Sequence, residues 1–199
     1  QRLRDMGIAF LSTSPSDPKD YESVRPEDVV ILPAFGVTTE ESELLRERGC
    51  ILVDTTCGSV LNVWKNVERY ARDGFSAVIH GRYDHEETRA TASCATRVPG
   101  GHYLVVRDME EAEVLARYLE VGGDGTVLLA RFQRACSPGF EPARDLERIG
   151  LANQTTVLSS ESLAIGERLR QAVIKRWGEA AVADHYRAFD TICSATQER

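Results

Sequence analysis

No run of about 18 consecutive apolar residues occurs in this 199-residue chain, so no segment reads as a membrane-spanning helix. Basic stripes are missing as well. The 24 Lys and Arg against 31 Asp and Glu leave a net charge of −7, with both signs interspersed, which disfavours nucleic acid as a partner. No C-x-x-C pair exists, and this argues against a zinc ribbon or a thioredoxin-like site. Low-complexity tracts and fixed-period repeats are also lacking. The five cysteines, at positions 50, 57, 94, 136 and 193, are odd in number and widely scattered. Such usage does not suit a disulfide framework and points to a reducing compartment.

The length suffices for one large domain or two small ones and would bury roughly 70% of the unfolded surface. The chain opens at Gln1 and stops shortly after Cys193, in mid-pattern, and it reads as an internal fragment of a longer protein. Short Val/Ile/Leu runs at 7–11, 29–32, 51–53, 77–79, 103–106 and 149–152 alternate with helical spacing at 38–48, 59–72, 109–119, 126–136 and 160–177. This βαβ rhythm predicts an α/β fold with parallel sheets. Proline-rich stretches at 12–27 and 137–145 read as linkers.

Two cysteines close nearly the same phrase, Asp54-Thr55-Thr56-Cys57 and Asp190-Thr191-Ile192-Cys193, each after an apolar run. Ligands collect at the carboxyl ends of strands in an open α/β sheet, so the two thiols can converge on one bound metal or metal–sulfur centre. Cys57 precedes a helix start, a position that favours the thiolate, the form that binds metal. A small buried hydrophobe is the plainer reading of the same residue. Cys50, Cys94 and Cys136 read as core or surface cysteines, Cys50 at a strand start and the other two in helical patterns.

The stretch from His80 to Thr88 follows a strand and is dense in titratable groups. Such a loop holds active-site residues in α/β proteins: His85 can bind an anion or hydroxyl, and Glu86 or Glu87 can relay a proton. A solvated charged turn leading into a helix is the alternative. Ala152-Asn153-Gln154-Thr155-Thr156, also at a strand end, offers hydrogen-bonding side chains to a polar ligand or a cap to the next helix. Pro33-Ala34-Phe35-Gly36 provides either a close backbone approach to a ligand or a simple turn.

Taken together, Asp54 to Cys57, Val78 to Thr88, Ala152 to Thr156 and Thr191-Ile192-Cys193-Ser194-Ala195-Thr196-Gln197-Glu198-Arg199 resemble the 4-hydroxy-3-methylbut-2-enyl diphosphate reductases, most strongly their cyanobacterial and plastid type. Four motifs agree in order along the whole chain. The resemblance implies parallel-sheet αβα domains, three of them in a pseudo-threefold arrangement around a central iron–sulfur site. It divides the chain into 1–57, the end of a first domain; 58–189, a central domain; and 190–199, the start of a third. It implies reductive dehydroxylation of 4-hydroxy-3-methylbut-2-enyl diphosphate, the last step of the methylerythritol phosphate route to isopentenyl and dimethylallyl diphosphates. A [4Fe-4S] cluster would be held by Cys57, Cys193 and a third cysteine outside this fragment. His85, Gln154 and Thr155 would bind substrate, and Glu87 would deliver protons. An allylic diphosphate substrate, a ferredoxin or flavodoxin as electron donor, and a bacterial cytoplasm or plastid stroma as location follow from the same resemblance, with neither nucleic acid nor membrane as partner.

Phe35 stands where many bacterial members carry a histidine, and Gly58 replaces a proline common after the cysteine. Two other readings of the residues remain: a non-catalytic diphosphate-binding module of the same fold, and a zinc hydrolase using Cys57, Cys193 and His85.

Overall fold

A computed structural model describes residues 2–12 and 18–189. Chain order runs α1 (Arg2–Asp5), β1 (Val29–Leu32), α2 (Thr39–Glu47), β2 (Ile51–Asp54), α3 (Gly58–Arg72), β3 (Ser76–His80), α4 (Glu86–Thr96), β4 (Tyr103–Val106), α5 (Met109–Val121), α6 (Gly125–Phe132), α7 (Pro142–Asp145), β5 (Ile149–Asn153), α8 (Ser159–Trp177), α9 (Val182–His185) and β6 (Tyr186–Ala188). The strands form two parallel sheets, β1-β2 and β4-β3-β5-β6.

The larger sheet is buried on both faces, and every residue of β3 and β5 is buried. Helices α3 and α4 pack against each other on one face, and α5 and α8 on the other. The α5–α8 contact is reinforced at its rim, where Arg168 Nε meets Glu113 Oε2 at 2.5 Å and Arg168 Nη1 meets Glu120 Oε1 at 2.8 Å. Helix α2 begins with a capping box: Glu41 N–H donates to Thr38 Oγ1, and Thr38 N–H donates back to Glu41 Oε2.

One face of the small sheet is covered: Leu32 of β1 packs with Val24 and Leu45, and Val30 and Leu52 join them. On its other face Val29 and Ile31 lie in register with Ile51 and Val53, and all four are exposed, Val29 by 59% and Ile51 by 58%. Parallel sheets are ordinarily buried on both faces, so this half of the fold presents a surface built to be covered.

Three elements depart from the sequence expectation. Residues 7–11 form no strand, because neither described sheet offers them a ladder partner, and Gly7, at φ 81°, ends the turn of α1 instead. Cys136 is not helical: α6 stops at Phe132, and Cys136 forms an antiparallel bridge with Leu104 that covers the β4 edge. Helix α4 starts at Glu86, so Glu87 and Thr88 lie in its first turn rather than in a loop.

One close approach sets the spacing of α3 over the sheet. The Tyr70 ring lies directly on Gly150 of β5, where an added Cβ would fall 2.4 Å from Tyr70 Cγ, and the Tyr70 hydroxyl donates to the Leu151 carbonyl at 2.8 Å. The ring root cannot swing away from a buried strand, so Gly150→Ala is expected to lower stability by about 3 kcal/mol in chemical denaturation. Gly125→Ala, which meets only ordinary contacts with Pro142 at 3.5 Å, serves as the control and is expected to change stability little. Equal stabilities for the two variants would refute this account of the α3 packing.

Candidate functional site

The chain enters β3, passes through α4 to β4 on one side, and later adds β5 on the other side of β3. Crossovers are right-handed, so the helices leaving the carboxyl ends of β3 and β5 lie on opposite faces and a crevice opens between those ends. His80 and Asn153 end the two strands in register, and the Gln154 N–H donates to the His80 carbonyl at 2.8 Å.

Gly81 follows at the bottom of the crevice. An added Cβ there would sit 2.9 Å from both Gln154 Cβ and Thr88 Oγ1, so only glycine lets the two loops close. Gln154 Oε1 accepts from the Arg82 N–H at 3.2 Å and from Thr88 Oγ1 at 3.1 Å, while its Nε2 donates to Thr156 Oγ1 at 2.5 Å. The Gln154 amide is thus engaged in tying the loops together.

His85 is the N-cap of α4, and its Nδ1 accepts the Glu87 N–H at 3.2 Å. An accepting Nδ1 places the proton of the neutral ring on Nε2, which becomes the donor available to a ligand. Glu87, in the first turn of the helix, is only 2% exposed, and its Oε1 accepts the N–H of Thr155, itself buried. A buried carboxylate needs such a donor to remain in place. This bond joins the α4 start to the β5 end, which brings His85, Glu87, Gln154 and Thr155 to one crevice.

Cys57 follows β2 of the small sheet and precedes α3. Beyond β2, Thr56 donates to Asp54 Oδ1 through both its N–H, at 2.9 Å, and its hydroxyl, at 2.5 Å, and the Cys57 N–H donates to the Ala34 carbonyl at 2.8 Å. Cys57 caps α3 with backbone alone, and its thiol is exposed. Gly36, at φ 78°, packs so closely on Trp64 of α3 that a Cβ would meet Cζ2 at 2.3 Å. That turn presents Phe35 edge-on to His85, with ring centroids 6.3 Å apart, so Phe35 bridges the cysteine loop and the histidine loop.

Lys19 fixes the two halves further, with Nζ 2.8 Å from Glu41 Oε1 and 2.7 Å from Glu86 Oε2. Glu86 therefore holds an ion pair instead of pointing into solvent. The remaining cysteines behave as packing residues. Cys50 Sγ donates to the Leu45 carbonyl at 3.1 Å, and burial pushes the Cys94 thiol up to about 12.

Among the described residues no three His, Cys, Asp or Glu side chains come together in a metal-holding group. Cys57 is the one exposed thiol among the described residues, and a cluster of several irons needs further thiolates. Cys193 and its flanking phrase lie outside the described residues. His80 and Thr88, which bound the titratable stretch but were given no role in it, also lie at the strand ends: His80 meets Ser162 and the Thr88 hydroxyl donates to Gln154. An adjoining groove of about 430 Å³ opens beside α4, lined by Tyr83, Thr88, Thr96, Tyr103, Arg134 and Pro138 among others, and includes neither Cys57 nor Glu87.

The sequence of the LytB protein family matches residues 1–199. A protein of Thermosynechococcus vestitus is 48% identical over 199 residues, covering 100% of this chain and 48% of the relative, and one of Gloeobacter violaceus is 50% identical over 202 residues, covering 100% and 47%. Both are named 4-hydroxy-3-methylbut-2-enyl diphosphate reductase. The chain therefore spans about half the length of the curated relatives it matches. Two solved structures share the fold. The E-1-hydroxy-2-methyl-but-2-enyl-4-diphosphate reductase of Plasmodium falciparum aligns with a TM-score of 0.61 at 17% identity, over 90% of this chain and 44% of that one. The structure titled (E)-4-hydroxy-3-methyl-but-2-enyl diphosphate reductase, the terminal enzyme of the non-mevalonate pathway, aligns with a TM-score of 0.60 at 23% identity, over 100% and 54%. With its whole length matched by the family and near-half identity to these relatives throughout, the chain belongs to the LytB protein family.

Proposed function

We propose that this chain is the central part of an iron–sulfur reductase that converts 4-hydroxy-3-methylbut-2-enyl diphosphate to isopentenyl and dimethylallyl diphosphates. The observation that carries the reading is the Glu87–Thr155 bond, which sets a buried acid beside a histidine donor where the sheet opens, in a chain about half identical to reductases so named. The reaction consumes two electrons and two protons, breaks the carbon–oxygen bond of the allylic alcohol, and releases water.

A four-iron, four-sulfur cluster, when bound, supplies the electrons and a Lewis-acidic iron. Cys57 would hold it together with Cys193 and a cysteine outside this chain. The remaining work belongs to protein groups. His85 Nε2–H would donate to a substrate oxygen, and Phe35 would exclude water from that contact. Glu87 would hold the proton destined for the leaving hydroxyl, on a carboxyl group kept in place by the Thr155 N–H at Oε1. Thr155 would line the pocket, with Gln154 behind it as the tie between the two loops.

The three-domain reading fits the exposed aliphatic face of β1-β2: residues 1–57 would complete a first domain, 58–189 would form the central one, and 190–199 would begin a third. The electron donor would be of the ferredoxin or flavodoxin class, and the location the bacterial cytoplasm or plastid stroma.

Two outcomes are expected in the full-length protein. Cys57→Ser should abolish iron and acid-labile sulfide after anaerobic reconstitution, whereas Cys136→Ser should retain both; equal retention would remove the ligand assignment. Glu87→Gln keeps an oxygen acceptor for Thr155 but loses the acid, and turnover should drop by about 10²- to 10⁴-fold with the absorption spectrum of the cluster unchanged. Glu110→Gln, on the surface of α5, should leave turnover intact. Near-normal turnover in Glu87→Gln would end the proton-delivery role.

A further inference from the structure

We propose that His80 is a positioning residue that fixes the loop carrying Thr155 at both of its ends. The inference rests on the reductase reading only in treating Thr155 and Glu87 as parts of a working site. His80 closes β3 and is 1% exposed. Its carbonyl accepts the Gln154 N–H at 2.8 Å, which anchors the loop where it leaves β5. On the opposite sheet face its Nδ1 lies 2.7 Å from Ser162 Oγ, in the first turn of α8, where the loop ends. Ser162 is buried too, so this hydrogen bond is shielded from competing water.

The N-cap of α8 is Leu158, whose side chain makes no capping bond, and the His80–Ser162 bond ties the first turn of the helix to the end of β3. The rest of the His80 ring argues against a purely space-filling role. Its Nε2 is buried without a hydrogen bond of ordinary geometry, 3.9 Å from Glu161 Oε2. An apolar side chain would fill that space without an orphaned nitrogen. Burial lowers the His80 pKa, and the nearby Glu161 and Asp108 carboxylates and the Arg107 backbone, which favour the charged form, do not offset it. The ring is therefore held neutral, with Nδ1 engaged by Ser162. A loop fixed at Gln154 and at Ser162 places the Thr155 N–H against Glu87, and loosening one end frees that N–H.

The test is hydrogen exchange of the peptide covering residues 154–158, measured by mass spectrometry in the full-length holo-protein. His80→Ala and Ser162→Ala are each expected to speed exchange there about three- to tenfold, with α5 unchanged. The double variant should be no faster than either single one. His80→Asn, whose amide occupies the place of Nδ1, should restore protection to within about twofold, whereas His80→Gln, which reaches toward the place of Nε2, should behave like alanine. Unchanged exchange in both alanine variants, or an asparagine variant as fast as alanine, overturns the proposal. Should His80→Ala fail to fold, Ser162→Ala removes the same bond from the other side and decides the matter. No arm reads turnover, so failure of the reductase reading and failure of this one are separable.

Discussion

The order β4-β3-β5-β6 is the constraint from which the rest follows. Because β3 has neighbours on both sides that the chain reaches in opposite directions, the connecting helices fall on opposite faces. No helix then covers the carboxyl ends of β3 and β5. His80, Gly81, Gln154 and Thr155 sit at those two ends, and His85 and Glu87 are delivered there by the N-cap and first turn of the helix that follows β3.

Polarity follows the same geometry. The middles of β3, β4 and β5 are apolar, and buried polar side chains concentrate at and beyond the ends of β3 and β5: His80, Glu87, Thr88, Asn153, Gln154, Thr155 and Ser162. Burying so many polar groups is stabilising only if they bond to one another, and the bonds from Gln154 to Thr88, Glu87 to Thr155 and His80 to Ser162 do so across three elements. Phe35, through His85, and Lys19, through Glu41 and Glu86, link the half of the fold that carries Cys57 to α4.

The strands of the core were legible because Val, Ile and Leu runs of four or five residues stand between turn signals, as at 29–32 and 103–106. The short β6 was not, since Tyr186–Ala188 is three residues long with Arg187 at its centre and gains its place only by pairing with β5. The start of α4 was obscured by its composition: Ala, Ser and Thr dominate Glu86–Thr96 because the helix packs closely on α3, so no apolar stripe marks it. At the site, Cys57, His85 and Glu87 stood out through motif resemblance. His80 did not, because a lone histidine at a strand end has no spacing signature, and its partner Ser162 lies far along the chain.

The most direct test of the account is where the substrate lands. Hydrogen exchange of the full-length holo-protein with and without 4-hydroxy-3-methylbut-2-enyl diphosphate maps this without depending on catalysis. The account predicts new protection in residues 81–88 and 154–158 together, at the ends of β3 and β5. Protection confined to the groove lined by Thr96, Arg134 and Pro138, with 154–158 unaffected, would contradict it.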